Sequence, residues 1–258
     1  MSTKFQRDQG FRDGAVVSLS GGIDSATALG VAISRYGVEN VIPVAFHYGQ
    51  KHDAELMHAQ AVAKWYGLGD EFQIIELPQI FGGAGSTLID TDSQVQMMGT
   101  YEELKDKFNS QPTVVPNRNM NFIAMLITVA WTHKLNTVVL GVHATDAGEN
   151  HYPDCKASFI GAMNAAVEIG SEGRINLWAP FEHSSKGDIV YEASELGVPA
   201  QLTMSCYNGM DPACGQCATC HERLAAFSEA EYKDPIIYVD DVNVNGYPDY
   251  PVPEEFVE

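Results

Sequence analysis

Apolar residues along the chain fall into short continuous runs, separated by stretches in which they recur every three or four positions. Ala15-Val16-Val17-Ser18-Leu19 is the first such run, and Ser20 to Tyr36 follows with helical spacing, which predicts strand, tight turn and helix. The unit recurs with a strand over Val41 to Phe46, an Ala-rich helix over His52 to Trp65 and a third strand over Phe72 to Leu77. Pro78 to Pro116 breaks the rhythm with Gly, Ser and Asp, and reads as an inserted loop or lid with a short helix near Tyr101 to Phe108. The alternation resumes in an apolar helix, Asn119 to His133, and a strand, Thr137 to Val142. Helices over Cys155 to Glu168 and Lys186 to Leu196, and a strand over Ile175 to Trp178, complete the expectation. Strands that are apolar throughout and alternate with helices predict an α/β fold, a doubly wound, mostly parallel sheet covered on both faces. The expected organisation is a main domain over 14–200 interrupted at 78–116, a cysteine-bearing segment at 201–228, and an acidic, proline-bearing tail at 229–258. The tail is expected to lie over the surface or to be disordered.

Composition narrows the function. Fifteen Lys plus Arg stand against thirty-four Asp plus Glu, a net charge of −19, yet only 19% of residues are charged and 45% are hydrophobic. The chain is acidic because bases are scarce, and its apolar content suits a globular domain that buries roughly 70% of its unfolded surface. No stretch approaches the roughly 20 apolar residues of a membrane span, and Met1 to Asp8 lacks the apolar core of a signal peptide, so a cytoplasmic protein without a membrane partner is expected. Binding a nucleic acid backbone needs clustered Lys and Arg that are absent, so a nucleic acid partner is not expected.

Ser20-Gly21-Gly22-Ile23-Asp24-Ser25 lies where an α/β sheet binds ligands, between the first strand and the next helix. Two glycines let an anion approach the backbone, while helix N–H groups and the hydroxyls of Ser20 and Ser25 can donate to phosphate oxygens. The construction fits a pyrophosphate. Asp24 cannot favour an anion by itself, so it either caps the helix or holds a Mg²⁺ that bridges phosphates; a plain capping turn is the structural alternative for the whole loop. A Walker-type G-x-x-x-x-G-K-[ST] is absent, and Gly82-Gly83-Ala84-Gly85-Ser86, inside the irregular insertion, reads as a flexible loop.

Cys206-x₇-Cys214-x₂-Cys217-x₂-Cys220 supplies four thiolates on what reads as a loop-and-turn segment. Four soft ligands at this spacing suit a closed, tetrahedral, structural Zn²⁺; an iron–sulfur cluster is the rival, disfavoured because the fourth Cys lies upstream and no Cys-Pro follows. Cys155 is left over, either a buried apolar residue or an active-site thiol.

The Ser20 to Ser25 loop resembles the SGGxDS signature of the PP-loop ATP-pyrophosphatase superfamily. Together with Ser205-Cys206-Tyr207-Asn208-Gly209 and Cys214-Gly215-Gln216-Cys217-Ala218-Thr219-Cys220-His221-Glu222-Arg223, the chain is similar to the 7-cyano-7-deazaguanine synthases. His47-Tyr48-Gly49-Gln50-Lys51-His52, Val115-Pro116-Asn117-Arg118-Asn119 and Tyr152-Pro153-Asp154-Cys155 fall in that family's order, so the likeness runs from Ala15 to Phe227. It implies a homodimeric ligase that uses ATP, Mg²⁺ and a structural Zn²⁺ to convert 7-carboxy-7-deazaguanine and ammonia to the nitrile through an adenylated amide. It further implies that Leu19, Ser20, Gly21, Gly22, Ile23, Asp24, Ser25, His47, Tyr48, Gln50 and Arg118 bind the nucleotide. On the same footing Ser20, Asp24, Ser25, Arg118 and Lys186 serve the chemistry, Asp146, Tyr152 and Asp154 meet the substrate, with helix N-capping the alternative for Asp154, and Cys206, Cys214, Cys217 and Cys220 hold the metal. Lys51 and His52 stand near the phosphates or in solvent.

Asn117 stands where the family usually has Gly, Lys156 where it has Arg, and the loop Ala147-Gly148-Glu149-Asn150-His151 is longer than usual. These departures and the likeness of the Ser20 to Ser25 loop to other PP-loop enzymes leave two alternatives open. One is a deazaguanine amide-forming or protein-conjugating relative, and the other is a different PP-loop amidating enzyme such as NAD synthetase.

Overall fold

The computed structural model describes residues 10–50, 54–77, 81, 86, 114–148, 152–240, 242 and 246–252. Its strands are β1 (Arg12–Ser18), β2 (Val41–His47), β3 (Gln73–Glu76), β4 (Leu135–Val139) and β5 (Asn176–Trp178). The helices are α1 (Ile23–Tyr36), α2 (Ala54–Trp65), α3 (Arg118–His133), the short α4 (Ala144–Ala147), α5 (Ala157–Gly170), α6 (Lys186–Glu195) and α7 (Ala218–Glu229). Every strand pairing is parallel, in the order β3-β2-β1-β4-β5, with Val16 opposite Ile42 and Val17 opposite Val139. The expected doubly wound α/β sheet is therefore present.

The burial pattern explains why these strands carry no polar alternation. In β1, Ala15 and Val17 pack into a cluster with α1, α2, α6 and α7, while Val16 faces the opposite cluster under α3 and α5. Both faces of the strand are dry, so both must be apolar. No helix among the described residues is long and apolar enough to cross a membrane.

The last quarter of the chain differs from expectation in two respects. The cysteine segment is only partly loop, because α7 begins at Ala218 and carries Cys220 in its first turn. Its buried face is Cys220, Arg223, Ala226 and Phe227, a helical spacing that a charged residue at its centre conceals from a hydrophobicity reading. The tail is also more than a surface strap. Asp234, Tyr238 and Tyr250 are buried, and Tyr250 packs on Phe227 and Tyr232 while donating its hydroxyl to the Val198 carbonyl at 2.9 Å. Arg223 is wholly buried and binds Asp234 through Nε (2.6 Å) and Nη2 (3.0 Å), with Thr203 Oγ1 and the Ala200 carbonyl accepting its other donors. The expected helix near Tyr101 to Phe108, the Gly82 to Gly85 loop, Lys51 and His52 lie outside the described residues.

Candidate active site

In this strand order the chain leaves β1 toward β2 on one side and later returns to β4 on the other, so the crossovers diverge between β1 and β4. A cleft of about 260 Å³ opens there, at the C-terminal ends of the strands, which is where open α/β sheets bind ligands.

The floor of the cleft is the turn between β1 and α1. Gly21 sits at φ +91°, and a Cβ on it would lie 2.4 Å from the Glu55 carbonyl, so only glycine fits. Gly141, just past β4, is also pressed on the first turn of α1, where a Cβ would lie 2.9 Å from the Asp24 carbonyl. Ser25 Oγ accepts from the Ser20 N–H at 3.0 Å, donates to the Gly22 carbonyl at 3.0 Å and meets Ser20 Oγ at 3.0 Å. The first backbone bond of α1 is Ala26 N–H to Gly22 O, leaving the N–H groups of Ile23, Asp24 and Ser25 without an intrahelical acceptor. A helix N-terminus of this kind offers donors and positive potential to an anion.

The capping reading of Asp24 is corrected. Gly22 is the N-cap residue and no side chain caps α1. Asp24 Oδ2 instead faces Lys186 Nζ at 3.5 Å and His143 Nε2 at 3.7 Å, while Oδ1 is buried without a hydrogen bond. Burial disfavours the Asp24 carboxylate, but Lys186 and His143 outweigh it and hold the group well below the usual carboxylate range. Lys186 opens α6, where Ser185 and Asp188 form a capping box, and it also meets Glu222 of α7 at 3.6 Å. Burial would discharge this ammonium; Asp24, Glu222 and Asp146 keep it charged and raise its pKa. His143 is fully buried, accepts the Asp146 N–H at Nδ1 (3.3 Å), and therefore carries its proton on Nε2, 3.3 Å from Asp146 Oδ2. Burial opposes its protonation, and the facing Asp24 and Asp146 raise its pKa above the ordinary value.

The opposite wall carries Arg118, which opens α3, donates from Nη1 to the Tyr48 hydroxyl at 3.2 Å, and lies 5.8 Å from the Phe122 ring centre. Gln50 folds back, accepting the Tyr48 N–H and donating to the Phe46 carbonyl, so it fixes the turn after β2. Tyr152 and Tyr207 meet hydroxyl to hydroxyl at 3.0 Å and join the loop after α4 to the cysteine segment. Cys155 also lines the cleft, but burial together with Asp146 and Asp154 pushes its thiol up, which leaves it neutral rather than nucleophilic.

Of the residues singled out from the sequence, Leu19, Ser20, Gly22, Asp24, Ser25, Tyr48, Gln50, Arg118, Asp146, Tyr152 and Lys186 share this cleft, with Gly21 and Ile23 in its floor turn. Two stand apart. His47 Nδ1 is 2.6 Å from Glu76 on β3, and the residue is not among the cleft-lining ones. Asp154 is buried, and its carboxylate accepts the Asn119 N–H at 2.9 Å, so it anchors the first turn of α3 instead of reading a substrate edge. Glu55, His143, Tyr207 and Glu222 line or support the cleft without having been singled out for it. Glu222 and Tyr207 stand inside the cysteine motif, and His143 directly follows the fourth strand, which is the position that could have found it.

The four cysteines gather beside this wall. All are buried, their Sγ atoms lie within 4.8 Å of one another, and Cys217–Cys220 and Cys214–Cys220 are 3.4 and 3.9 Å apart. Tetrahedral thiolate ligation of zinc requires sulfur separations of about 3.8 Å. Hydrogen bonds from Cys217 and Cys220 hold the Cys206 thiol well below its ordinary value and raise theirs in turn. A central dication is what would let all four thiols ionise together. The donor set fits a metal ion.

Comparison with known proteins gives a consistent picture. The family described as queuosine biosynthesis protein QueC matches residues 14–231. The 7-cyano-7-deazaguanine synthase of Aquifex aeolicus is 40% identical over 221 residues, covering 83% of this chain and 96% of that protein. The synthase of Persephonella marina is 35% identical over 228 residues, covering 85% and 94%. Among solved structures, the NMN synthetase of Francisella tularensis aligns at 17% identity with a TM-score of 0.45, covering 80% of this chain and 70% of that one.

Proposed function

The chain belongs to the queuosine biosynthesis protein QueC family, and on that footing we propose that it is an ATP-dependent C–N ligase, converting 7-carboxy-7-deazaguanine and ammonia to 7-cyano-7-deazaguanine. The observation that supports the reading is the convergence, in one cleft at the switch point, of a helix N-terminus with unpaired N–H groups, two buried or half-buried cations and a polar wall.

A carboxylate resists attack because its oxygen is a poor leaving group. In the proposed reaction the substrate carboxylate takes the adenylyl group of ATP, releasing pyrophosphate. Ammonia then displaces AMP to give the amide, and a second adenylation, on the amide oxygen, lets the amide lose that oxygen as AMP and become the nitrile. The chain's task in each adenylation is electrostatic. The N–H groups of Ile23, Asp24 and Ser25 and the hydroxyl of Ser20 bind the phosphates, and Lys186 and Arg118 stabilise charge as it moves onto pyrophosphate. Asp24, with one carboxylate oxygen unpartnered, would hold Mg²⁺, whose role when bound is to neutralise phosphate charge. Asp146 and Tyr152 face the deazaguanine, the carboxylate accepting its paired N–H groups. Cys206, Cys214, Cys217 and Cys220 would hold a structural Zn²⁺ that fixes Tyr207 and Glu222 in the cleft wall. A homodimer in the cytoplasm is part of the same reading.

The test is ATP–pyrophosphate exchange. Exchange that depends on 7-carboxy-7-deazaguanine supports the reading, and exchange indifferent to that substrate refutes it.

A further inference from the structure

Among the described residues, Asp24, Glu55, Asp146 and Glu222 are the carboxylates that line the cleft. Three of them are already engaged. Asp24 pairs with Lys186 and His143, Asp146 lies 3.3 Å from His143 Nε2, and Glu222 lies 3.6 Å from Lys186 Nζ. Glu55, in the first turn of α2, differs from them. Its carboxylate makes no ion pair or hydrogen bond among the described residues, and Arg118 acts on it only through space.

The amidation has a need that such a group would meet. Ammonia in neutral water is mostly ammonium, which has no lone pair to attack with, so the site must bind a small cation and remove a proton from it. We propose that Glu55 is the catalytic base of the amidation step, binding ammonium through its carboxylate and taking one proton to free the nitrogen lone pair. The C–N bond then forms at the acyl carbon, the bond from that carbon to the AMP oxygen breaks, and AMP leaves with the electron pair. The second proton, lost from the nitrogen of the tetrahedral adduct, passes to water. Burial raises the Glu55 carboxyl above its ordinary value, against the pull of Arg118, which makes it a stronger base than the locked Asp24. The inference rests on the ligase reading above.

Hydroxylamine separates the base from the rest of the machinery, because it is an uncharged nucleophile at neutral pH and needs no deprotonation before attack. In full-length Glu55→Gln, exchange of pyrophosphate into ATP driven by 7-carboxy-7-deazaguanine is expected within about threefold of wild type. Amide formation from ammonium is expected to fall about 100-fold or more, the usual worth of a general base, while hydroxamate formation stays within a few-fold. Glu55→Asp, which keeps the charge but withdraws it by one methylene, carries the same comparison should the Gln variant not fold, with a loss of about tenfold confined to ammonium. Unchanged ammonium turnover, or an equal loss with hydroxylamine, would overturn the assignment. Absence of substrate-driven exchange in the wild type would instead overturn the ligase reading and this inference with it.

Discussion

Removing the Asp234 carboxylate isolates what the tail contributes. Arg223 has no exposed surface, and Asp234 takes two of its donors, with the Tyr238 hydroxyl (2.6 Å) and the Ile236 N–H (3.2 Å) bound to the same carboxylate. In Asp234→Ala the guanidinium keeps, among the described residues, only the Thr203 hydroxyl and the Ala200 carbonyl as acceptors, neither of them charged. Stranding a buried charge by deleting its partner costs about 3–5 kcal/mol. For a chain of this size that corresponds to a fall in melting temperature of roughly 6–20 °C. The assay is urea denaturation of both proteins with bound metal measured alongside, so that metal loss is not mistaken for loss of the ion pair. The double variant Arg223→Met/Asp234→Leu removes both charges and should recover most of the loss, since an apolar pair of similar volume roughly matches a buried ion pair. A single variant within about 1 kcal/mol of wild type, or a double variant no better than the single, would refute the reasoning.

Three further outcomes follow from the same coordinates. Lys186→Met leaves Asp24 and Glu222 without their ammonium and removes a cation from the phosphate end of the cleft, so AMP formation should fall about 100-fold or more, measured by steady-state turnover. Stripping the metal with a chelator should lower the melting temperature by roughly 10 °C or more, and one zinc per chain should be recovered by elemental analysis; iron with labile sulfide would contradict the zinc assignment. Asp24 is ionised in the folded state well below its ordinary value of 3.8, so it adds stability that is present above that value and is lost as pH falls below it. Asp24→Asn should therefore flatten the decline in stability between about pH 4 and pH 2, and an unchanged slope in urea titrations across that range would count against the charge cluster.

How much of this was legible depended on whether a residue's environment is written in its neighbours along the chain. The strands could be read because both faces of the central β1 and β4 are dry, so Ala15 to Val17 and Val138 to Val139 are apolar without alternation. The glycine turn at the floor of the cleft could be read because strand, turn and helix are contiguous, and the cysteines because one short segment carries them all. What escaped depended on distant partners. α7 carries Arg223 on its buried face, and Asp234, Thr203 and the Ala200 carbonyl make that tolerable. The tail looked solvated because its anchors, Asp234, Tyr238 and Tyr250, are amphipathic residues whose polar atoms find acceptors or donors elsewhere in the fold. Asp154, in the polar loop after the fourth strand, reads equally as a substrate contact or a helix cap, and the first turn of α3, 35 residues earlier, takes its carboxylate. Glu55 carries no motif of its own and became visible only once α2 was brought to the cleft, while His143 is marked in the sequence by nothing but its place after the fourth strand.

The central claim is that this cleft adenylates a deazaguanine carboxylate and hands it to ammonia. Liquid chromatography with mass spectrometry, on reactions of the purified chain with Mg-ATP, ammonium and 7-carboxy-7-deazaguanine, tests it directly by following AMP together with the amide and nitrile masses. AMP that accumulates with the nitrile, two AMP for each nitrile, is the predicted result; no AMP formation in response to the deazaguanine would contradict it.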